Sequence, residues 1–431
     1  MRIEIVSPKI YTYGPLLLGG ILKDAGHSVT VTRSLQSEGE VTLLSLFSTS
    51  QLLDPKIRDF VGSLSRVYVG GPVGICPEIV LGELDVDAVV MGEGEEIVTR
   101  LAEEGPSTDI PGVAFREGDE IVKTEPRPVK CLDHPLPLIP DDLNKQNVRG
   151  ANIYIETHRG CLGGCTFCQV PRFFGRMIRS RSLENVLEEV RVLKKHGVRR
   201  IAVSGGTGSL FGYGKEVNKG AFIELIQSLS EILGPKNLSV PDMRVDFVDE
   251  EILEAVRKYS IGWVFYGLES GSQRMLKAMK KGTTVNKNLD AVELARSCGV
   301  KVGGSFIVGY PSETEEDYEA TLEFMEDAML DDVFSSVAEP IPGTPLAKLA
   351  LEYPREENVL YEEHRGEYKA LKLSEAEARC FNLMLHGQNC KLVPKLVDDA
   401  LYQSFLEEAK VQGRDIKRVM DLLEKYRDFV V

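Results

Sequence analysis

The sequence has no apolar run long enough to cross a bilayer, and it lacks the basic excess typical of nucleic-acid-binding proteins. Its 431 residues carry 66 acidic and 51 basic side chains, which gives a formal net charge of −15. Because phosphate contacts need a basic surface, we expect neither a nucleic-acid partner nor a membrane partner. Residues 1–6 are typical of a β-strand and show no signal-peptide cleavage pattern. These absences favour a cytoplasmic protein.

Cysteine is also scarce, with eight residues in the whole chain, which argues against a disulfide framework. Five cysteines are scattered, and buried apolar packing is the interpretation for each of them: Cys76, Cys131, Cys298, Cys380 and Cys390. His386 lies between the last two in a helical pattern, but a fourth metal ligand is not evident there. Core packing is therefore favoured for that segment as well.

The remaining three cysteines, Cys161, Cys165 and Cys168, have the spacing CxxxCxxC directly after a strand-like run at residues 152–157. Thiolate is a soft ligand that suits iron, and three thiolates can hold three irons of a cubane cluster and leave the fourth open. A zinc knuckle needs four closed ligands, and His158 has poor spacing for that role. The pattern predicts an iron–sulfur cluster with one exchangeable position.

Residues 1–125 alternate strand-like and helix-like segments, with glycine turns where the predicted strands end. This alternation predicts a doubly wound, Rossmann-like parallel sheet that binds its ligand at the carboxyl ends of the strands. Two such turns are Gly70-Gly71-Pro72 and Gly92-Glu93-Gly94-Glu95. Residues 106–150 are proline-rich and linker-like, with a small hairpin at 112–122. We place the domain boundary at 125 and the linker proper at 126–150.

Residues 151–345 contain six further strand–helix units, which predict a partial (β/α)6 barrel with its active site at the C-terminal strand ends. Three glycine-containing segments fall at such ends: Gly205-Gly206-Thr207, Glu269-Ser270-Gly271-Ser272 and residues 304–313. Taken singly, each is equally compatible with an ordinary tight β–α turn. Residues 346–431 are predicted to be mainly helical. The predicted fold class is therefore α/β, with a Rossmann-like domain, a partial barrel and a C-terminal helical region.

The cysteine motif and the barrel turns resemble those of the radical S-adenosylmethionine (SAM) enzymes, with Phe167 at the aromatic position before the last cysteine. This resemblance implies that Gly205, Gly206 and Thr207 meet the methionyl amine of SAM. Thr207 replaces the acidic residue usual at that turn. It further implies that Glu269 and Ser270 approach the ribose and that Val308 lies near the adenine.

The N-terminal segment resembles the cobalamin-binding domain of the cobalamin-dependent (class B) radical SAM methyltransferases. The resemblance implies cobalamin contacts from two sets of residues, Gly70, Gly71 and Pro72, and Gly92, Glu93 and Gly94. The DxHxxG motif is absent, and Val73 stands where many relatives have histidine. No histidine is therefore expected below the cobalt. A Rossmann-like domain without a ligand is the alternative interpretation of the same turns.

Four arginines follow the cysteine loop: Arg172, Arg176, Arg179 and Arg181. A solvated basic loop is the ordinary interpretation of such a run. Guanidinium groups nevertheless suit bidentate carboxylate contacts, and SAM carries a carboxylate. Arg179 and Arg181 are the predicted contacts to SAM or substrate.

The family resemblance implies an oxygen-sensitive enzyme that binds a [4Fe–4S] cluster, SAM and cobalamin. In that family a 5′-deoxyadenosyl radical takes hydrogen from an unactivated sp3 carbon, and methylcobalamin delivers a methyl group. A reductant such as ferredoxin or flavodoxin is also implied. The segment from Cys168 to Ser182 is similar to an archaeal group, linked to methanogenesis, that acts on methyl-coenzyme M reductase. That likeness implies a protein or peptide substrate and methylation of a glutamine α-carbon.

Three other functions fit some of the same motifs. A non-methylating cyclisation or rearrangement would use the same cofactors. A methylthiotransferase would need further cluster cysteines in its N-terminal domain, where only Cys76 precedes residue 131. A cobalamin or metal carrier without catalytic activity would leave SAM uncleaved.

Overall fold

A computed structural model of the chain describes residues 1–430, which form two compact units. Unit 1 comprises Met1–Leu162, Gln169–Gly206 and Leu210–Ser239. Unit 2 comprises Gly163–Cys168, Thr207–Ser209 and the chain from Val240 onwards. Within residues 1–430, no helix combines the length and the apolar composition needed to cross a bilayer.

Unit 1 begins with a seven-stranded sheet. Its strands are β1 (Arg2–Val6), β2 (Ser28–Thr32), β3 (Val41–Ser45), β4 (Val67–Gly70), β5 (Ala88–Val90), β6 (Val113–Glu117) and β7 (Glu120–Lys123). The helices are α1 (Tyr13–Asp24), α2 (Thr49–Leu52), α3 (Pro55–Gly62), α4 (Pro77–Glu83) and α5 (Val98–Glu104). The strand order is β2-β1-β3-β4-β5-β6-β7, and the first five strands are parallel. The order 2-1-3-4-5 is one of the two common doubly wound arrangements, as predicted.

The hairpin predicted at 112–122 is formed by β6 and β7, and it is part of the first sheet although the surrounding residues have a linker-like composition. β6 pairs antiparallel with β5, so the hairpin extends the sheet at its edge. Val113 and Ala114 are fully buried, which explains why the segment packs on the sheet rather than remaining in solvent. The first sheet consequently ends at Lys123.

Unit 1 continues with shorter strands and three helices. The strands are β8 (Ile153–Glu156), β9 (His158–Arg159), β10 (Arg179–Ser180), β11 (Ile201–Ser204) and β12 (Leu238–Ser239). The helices are α6 (Val170–Phe173), α7 (Leu183–Lys195) and α8 (Lys219–Leu233). Strands β12-β11-β8 form a parallel sheet, and β9 pairs antiparallel with β10. The Ser182 side chain accepts a hydrogen bond from the Asn185 amide and so caps α7.

Unit 2 contains a four-stranded parallel sheet in the order β13-β14-β15-β16. The strands are β13 (Asp242–Met243), β14 (Trp263–Glu269), β15 (Lys301–Val308) and β16 (Asp332–Val337). The helices are α9 (Glu250–Tyr259), α10 (Gln273–Ala278), α11 (Val285–Ser297), α12 (Glu315–Ala328), α13 (Pro345–Glu352), α14 (Glu375–Asn389), α15 (Asp399–Lys425) and α16 (Arg427–Val430). Strands β12 and β13 are separated at Pro241, which has no N–H for a backbone hydrogen bond to a neighbouring strand.

The C-terminal region is mainly helical, as predicted. Ser374 and Glu377 form a reciprocal capping box at the start of α14. The 27-residue helix α15 buries one face, with Leu406, Ile416 and Leu423 among its buried residues. The predicted domain boundaries at residues 125, 150 and 345 stay predictions.

Candidate cluster and cofactor site

The first part of the cysteine loop is shaped by the pairing of β9 with β10. Gly160 follows β9 with a φ of +105°, and a Cβ there would lie 2.2 Å from the carbonyl oxygen of Met177. Only glycine fits this position. The next residue, Cys161, donates its backbone N–H to the Gly175 carbonyl at 3.3 Å. The entry to the loop is thus fixed by backbone contacts.

The second part of the loop, Gly163–Cys168, is held within unit 2 by Thr166. Its N–H donates to Met279 O at 2.9 Å, and its carbonyl accepts from the Leu346 N–H at 3.0 Å. Its hydroxyl lies 2.9 Å from that of Tyr310. Phe167 packs against the apolar cluster that contains these three partners. The aromatic position of the motif therefore anchors the loop in the core.

A guanidinium group lies beside one of the loop cysteines. Cys165 is buried, and Arg244 Nη1 lies 3.8 Å from its Sγ. The other terminal nitrogen of Arg244 donates to Asp246 Oδ2 at 2.6 Å and to Lys281 O at 2.7 Å. The Arg244 guanidinium thus places a positive charge beside this sulfur atom. Arg244 was not among the predicted site residues, although its place directly after β13 was a usable signal.

The donor set of this loop fits an iron–sulfur cluster. Cys161 and Cys168 are half-buried, Cys165 is buried, and all eight cysteines of the chain are thiols rather than disulfides. Three soft ligands with an adjacent cation suit an anionic iron–sulfur cluster better than a closed zinc site. Cys76, Cys298 and Cys380 are buried, as predicted, but Cys131 is exposed and Cys390 half-buried, so the packing interpretation is wrong for Cys131.

The Gly205-Gly206-Thr207 turn follows β11. A Cβ on Gly205, whose φ is +155°, would lie 2.5 Å from the imidazole of His158. The His158 ring therefore occupies the space that a side chain would need. Gly206 has a φ of +92°, and Thr207 is buried. Contact of these three residues with SAM stays a prediction.

The strand-end residues of β14 have polar partners within unit 2. Glu269 has a φ of +66° at a register shift in the β14–β15 ladder, and this strained conformation is uncommon outside glycine. Its buried carboxylate accepts from Lys281 Nζ at 2.6 Å. Ser270 Oγ lies 3.0 Å from Thr321 Oγ1 and accepts from the Ser272 N–H. Both predicted ribose contacts are thus held in defined positions.

The end of β15 is braced by a residue from α14. Val308 is buried, and after it Glu313 accepts the Gly309 N–H at 2.8 Å and Arg379 Nη1 at 3.0 Å. Burial raises the pKa of Glu313 to about 7 against the opposing effect of Arg379. Arg379 was not among the predicted site residues, because the motif carries no signal for a partner so distant in sequence.

The first sheet ends in turns with room for a ligand. A Cβ on Gly70 would lie 3.9 Å from the nearest heavy atom, Val90 Cβ. A Cβ on Gly94 would lie 3.6 Å from its nearest heavy atom, and one on Gly92 would lie 3.4 Å from its own. None of these three glycines has a positive φ, so alanine would fit their backbones. Gly71 differs, since its φ is +96° and its Cβ would lie 2.5 Å from Leu46 O; Pro72 follows it in a 3-10 turn. Three side-chain-free positions at strand ends fit a large bound cofactor such as cobalamin.

Glu93, between Gly92 and Gly94, is occupied by the chain itself. It receives a bidentate contact from Arg179, lies 3.1 Å from Arg159 Nη1, and accepts the Val129 N–H at 2.7 Å. Burial alone would raise the pKa of this carboxyl, but the two arginines hold it below its ordinary value. Glu93 therefore connects the first sheet to the β9–β10 pair within unit 1.

Arg179 and Arg181 are both buried and both have carboxylate partners in unit 1. Arg181 Nη1 lies 2.7 Å from Glu189 Oε2 and donates to the Tyr13 hydroxyl at 2.8 Å. These contacts account for the two arginines without a bound molecule. Their predicted contact with SAM or substrate remains untested, whereas Arg176 is exposed.

Comparisons with known proteins place the chain among enzymes with radical SAM chemistry in their names or family descriptions. Residues 155–325 match the family described as the radical SAM superfamily. A protein of Methanocaldococcus jannaschii named as a "putative methylthiotransferase" is 55% identical, with 100% of this chain and 98% of the relative covered. An uncharacterized methyltransferase of Pyrococcus horikoshii is 32% identical, with coverage of 69% and 65%. A tRNA-2-methylthio-N(6)-dimethylallyladenosine synthase of Acidithiobacillus ferrooxidans is 32% identical, with coverage of 63% and 61%.

Two solved structures share the fold. The radical SAM methyltransferase TsrM from Kitasatospora setae, with cobalamin and a [4Fe-4S] cluster bound, gives a TM-score of 0.65 at 17% identity, covering 81% of this chain and 75% of that chain. The cobalamin-dependent SAM radical enzyme OxsB, with aqua-cobalamin and SAM bound, gives a TM-score of 0.64 at 17% identity. The match covers 99% of this chain and 75% of that chain. The predicted fold class is confirmed, and the cofactors in these structures are the three that the sequence predicts.

Proposed function

Because this chain belongs to the radical SAM superfamily, we propose that it is a cobalamin-dependent radical SAM methyltransferase acting on an sp3 carbon of a protein residue. The glutamine of methyl-coenzyme M reductase is the proposed substrate residue, from the likeness of residues 168–182 to the archaeal group. The observation that carries the proposal is the pairing, in one chain, of a three-thiol loop with strand-end glycines that leave space beside the first sheet. We further propose a cytoplasmic location, and ferredoxin or flavodoxin as the electron donor.

When bound, the cluster would supply an electron and an open iron for SAM, and cobalamin would supply the transferred methyl group. Cys161, Cys165 and Cys168 would hold the cluster. Thr166 and Phe167 fix the loop that carries them. Arg244 would offset the negative charge of the thiolates. The chain's share is thus to hold the reacting groups in fixed positions.

Methylthiotransfer is the second candidate function, favoured by the names of two relatives. Inserting sulfur would require further cluster ligands in the N-terminal domain. Before residue 131 the sequence has only Cys76, which is buried in unit 1. Burial raises the pKa of its thiol to about 12, so it is a poor thiolate ligand. This observation favours methyl transfer.

The test is an anaerobic assay of the reconstituted enzyme with SAM, methylcobalamin, a one-electron reductant and a peptide containing the target glutamine of methyl-coenzyme M reductase. We expect the peptide product to carry one methyl group in place of one hydrogen. Both 5′-deoxyadenosine and S-adenosylhomocysteine should form in the same reaction. The Cys161→Ala variant should form neither product, because its cluster cannot assemble.

Other outcomes would contradict the proposal in different ways. A methylthio group on the product would favour the second candidate, and a cyclised or rearranged product without S-adenosylhomocysteine would indicate a non-methylating enzyme. Intact SAM in the presence of a reduced cluster would indicate a carrier. Mass spectrometry of methyl-coenzyme M reductase from a host with and without this gene would test the substrate directly.

A further inference from the structure

A second group of metal-ligating side chains lies in unit 2, where α12 and α14 come together. Glu326 is near the end of α12, His386 is in the last turn of α14, and Cys390 is the C-cap of α14. His386 and Cys390 are four residues apart on a helix, so their side chains lie on one face. The three donor atoms all lie within 4.8 Å of one another.

The two separations that involve His386 are close to those in a tetrahedral zinc site. His386 Nε2 lies 3.4 Å from Glu326 Oε1 and 3.2 Å from Cys390 Sγ. Bond lengths of about 2.3 Å to sulfur and about 2.0–2.2 Å to nitrogen and oxygen place tetrahedral ligands about 3.4–3.6 Å apart. One ion could therefore contact all three donors after small side-chain movements.

We propose that Glu326, His386 and Cys390 bind a zinc ion, with water as the fourth ligand. Calcium and magnesium take oxygen ligands, whereas a mixed set of sulfur, nitrogen and oxygen suits zinc. The Glu326 side chain is 62% exposed, which leaves room for water at the fourth position. The site is separate from the cysteine loop, and it does not depend on the proposed methyl transfer.

Zinc binding would displace the proton of the Cys390 thiol and replace the hydrogen bond between Cys390 and His386 with two metal bonds. Cys380 precedes His386 on the same helix. It is fully buried and packs in the core, as the sequence predicts.

The proposed ion would connect α12 to the end of α14. Helix α14 also provides Arg379, which pairs with Glu313 after β15. Zinc would thus hold in place the helix that braces this strand end. Its role is structural, and we expect zinc removal to lower the melting temperature of the protein without removing iron from the cluster.

The experiment uses the full chain with its iron–sulfur cluster, incubated anaerobically with zinc and desalted. Metal analysis should find zinc equimolar with the chain, and zinc K-edge absorption should show one sulfur and three nitrogen or oxygen neighbours. In Cys390→Ser and in His386→Gln, bound zinc should fall at least tenfold. Glu326→Gln, an exposed substitution that does not threaten the fold, should also weaken zinc binding.

The matched control is Cys131→Ser, which removes an exposed thiol outside the group and should leave zinc unchanged. Iron content and circular dichroism of each variant verify that it is folded. Stoichiometric zinc retained in both Cys390→Ser and Glu326→Gln would overturn the proposal, as would a native protein that holds no more zinc than the double variant Cys390→Ser, His386→Gln. Either result would leave only a hydrogen-bonded Glu–His–Cys group.

Discussion

Glycines end strands both in the seven-stranded sheet and in the later parallel strands, but their surroundings differ. A Cβ on Gly205 would lie 2.5 Å from the His158 ring, and one on Gly271 would lie 2.2 Å from the Ala320 carbonyl oxygen. A Cβ on Gly70 would have no neighbour closer than 3.9 Å. In the later strands the chain itself occupies the space beside the glycine. In the first sheet the space beside Gly70, Gly92 and Gly94 is open, although the space beside Gly71 is not. Such open space is the condition for a ligand to approach the backbone.

Gly271→Ala should have the largest effect, because the new Cβ would meet a backbone carbonyl that cannot rotate away. We expect the free energy of unfolding to fall by about 4 kcal/mol, seen as a lower denaturation midpoint of the anaerobic holoenzyme. Gly62→Ala is the control, since a Cβ at that helical position meets nothing within 4 Å. Equal midpoints for the two variants would contradict the comparison.

Glu93→Gln tests the residue between two of the open glycines. The substitution leaves the buried guanidinium of Arg179 without a carboxylate, whereas Arg159 keeps its pairs with Glu95 and Glu156. It should cost about 3 kcal/mol at pH 7. The pKa of Glu93 is lowered in the folded state, so its stabilisation is present above the ordinary carboxyl pKa and is lost as pH falls through the lowered value. The difference in midpoint between native and variant should therefore be full at pH 7 and shrink only below pH 4.5. A difference that is constant with pH would argue against the ion pairs.

Gly205→Ala should destabilise by about 2 kcal/mol, because a planar ring can yield more than a backbone carbonyl can. Removing the ring in a His158→Ala, Gly205→Ala double variant should recover part of that loss. A double-mutant cycle of melting temperatures measures the coupling. Strictly additive losses would show that the His158 ring is not what excludes a side chain at residue 205.

Gly70→Ala should change the free energy of unfolding least, by less than about 0.5 kcal/mol. Its effect should instead fall on cobalamin, whose dissociation constant should rise about tenfold, or about 1.4 kcal/mol. The measurement is a spectrophotometric titration of the folded protein, with Gly220→Ala on α8 as the control. Unchanged cobalamin affinity would mean that the open space at this strand end is not the cofactor site.

Local patterns predicted most of the fold. The runs at Val41–Ser45 and Val67–Gly70 are almost wholly buried, so their apolar composition is what parallel strands require. The hairpin at β6 and β7 was predicted, but within a linker-like composition, because the neighbouring prolines dominate that region. Its place at the sheet edge depends on pairing with β5, which local sequence does not encode.

The candidate site was less predictable, since its electrostatic partners are distant in sequence. Arg179 pairs with a carboxylate 86 residues away, and Arg379 pairs with one 66 residues away. The sequence indicated only that arginines near a cysteine loop suit carboxylates. It could not indicate whether the carboxylate belongs to a ligand or to the chain. The short cysteine motif, by contrast, carries its whole signal within eight residues.

The contact of Glu93 with Arg159 and Arg179 limits how this protein can be recombined with its relatives. A chimera that exchanged only the N-terminal segment would separate the Glu93 carboxylate from the two guanidinium groups that contact it. A transplanted segment should therefore fold poorly unless the turn that carries Glu93 is exchanged together with β9 and β10, which carry Arg159 and Arg179. Homologues that differ at Glu93, Arg159 or Arg179 should differ at all three positions together. The identities of these three residues can therefore guide the choice of homologues for a chimera.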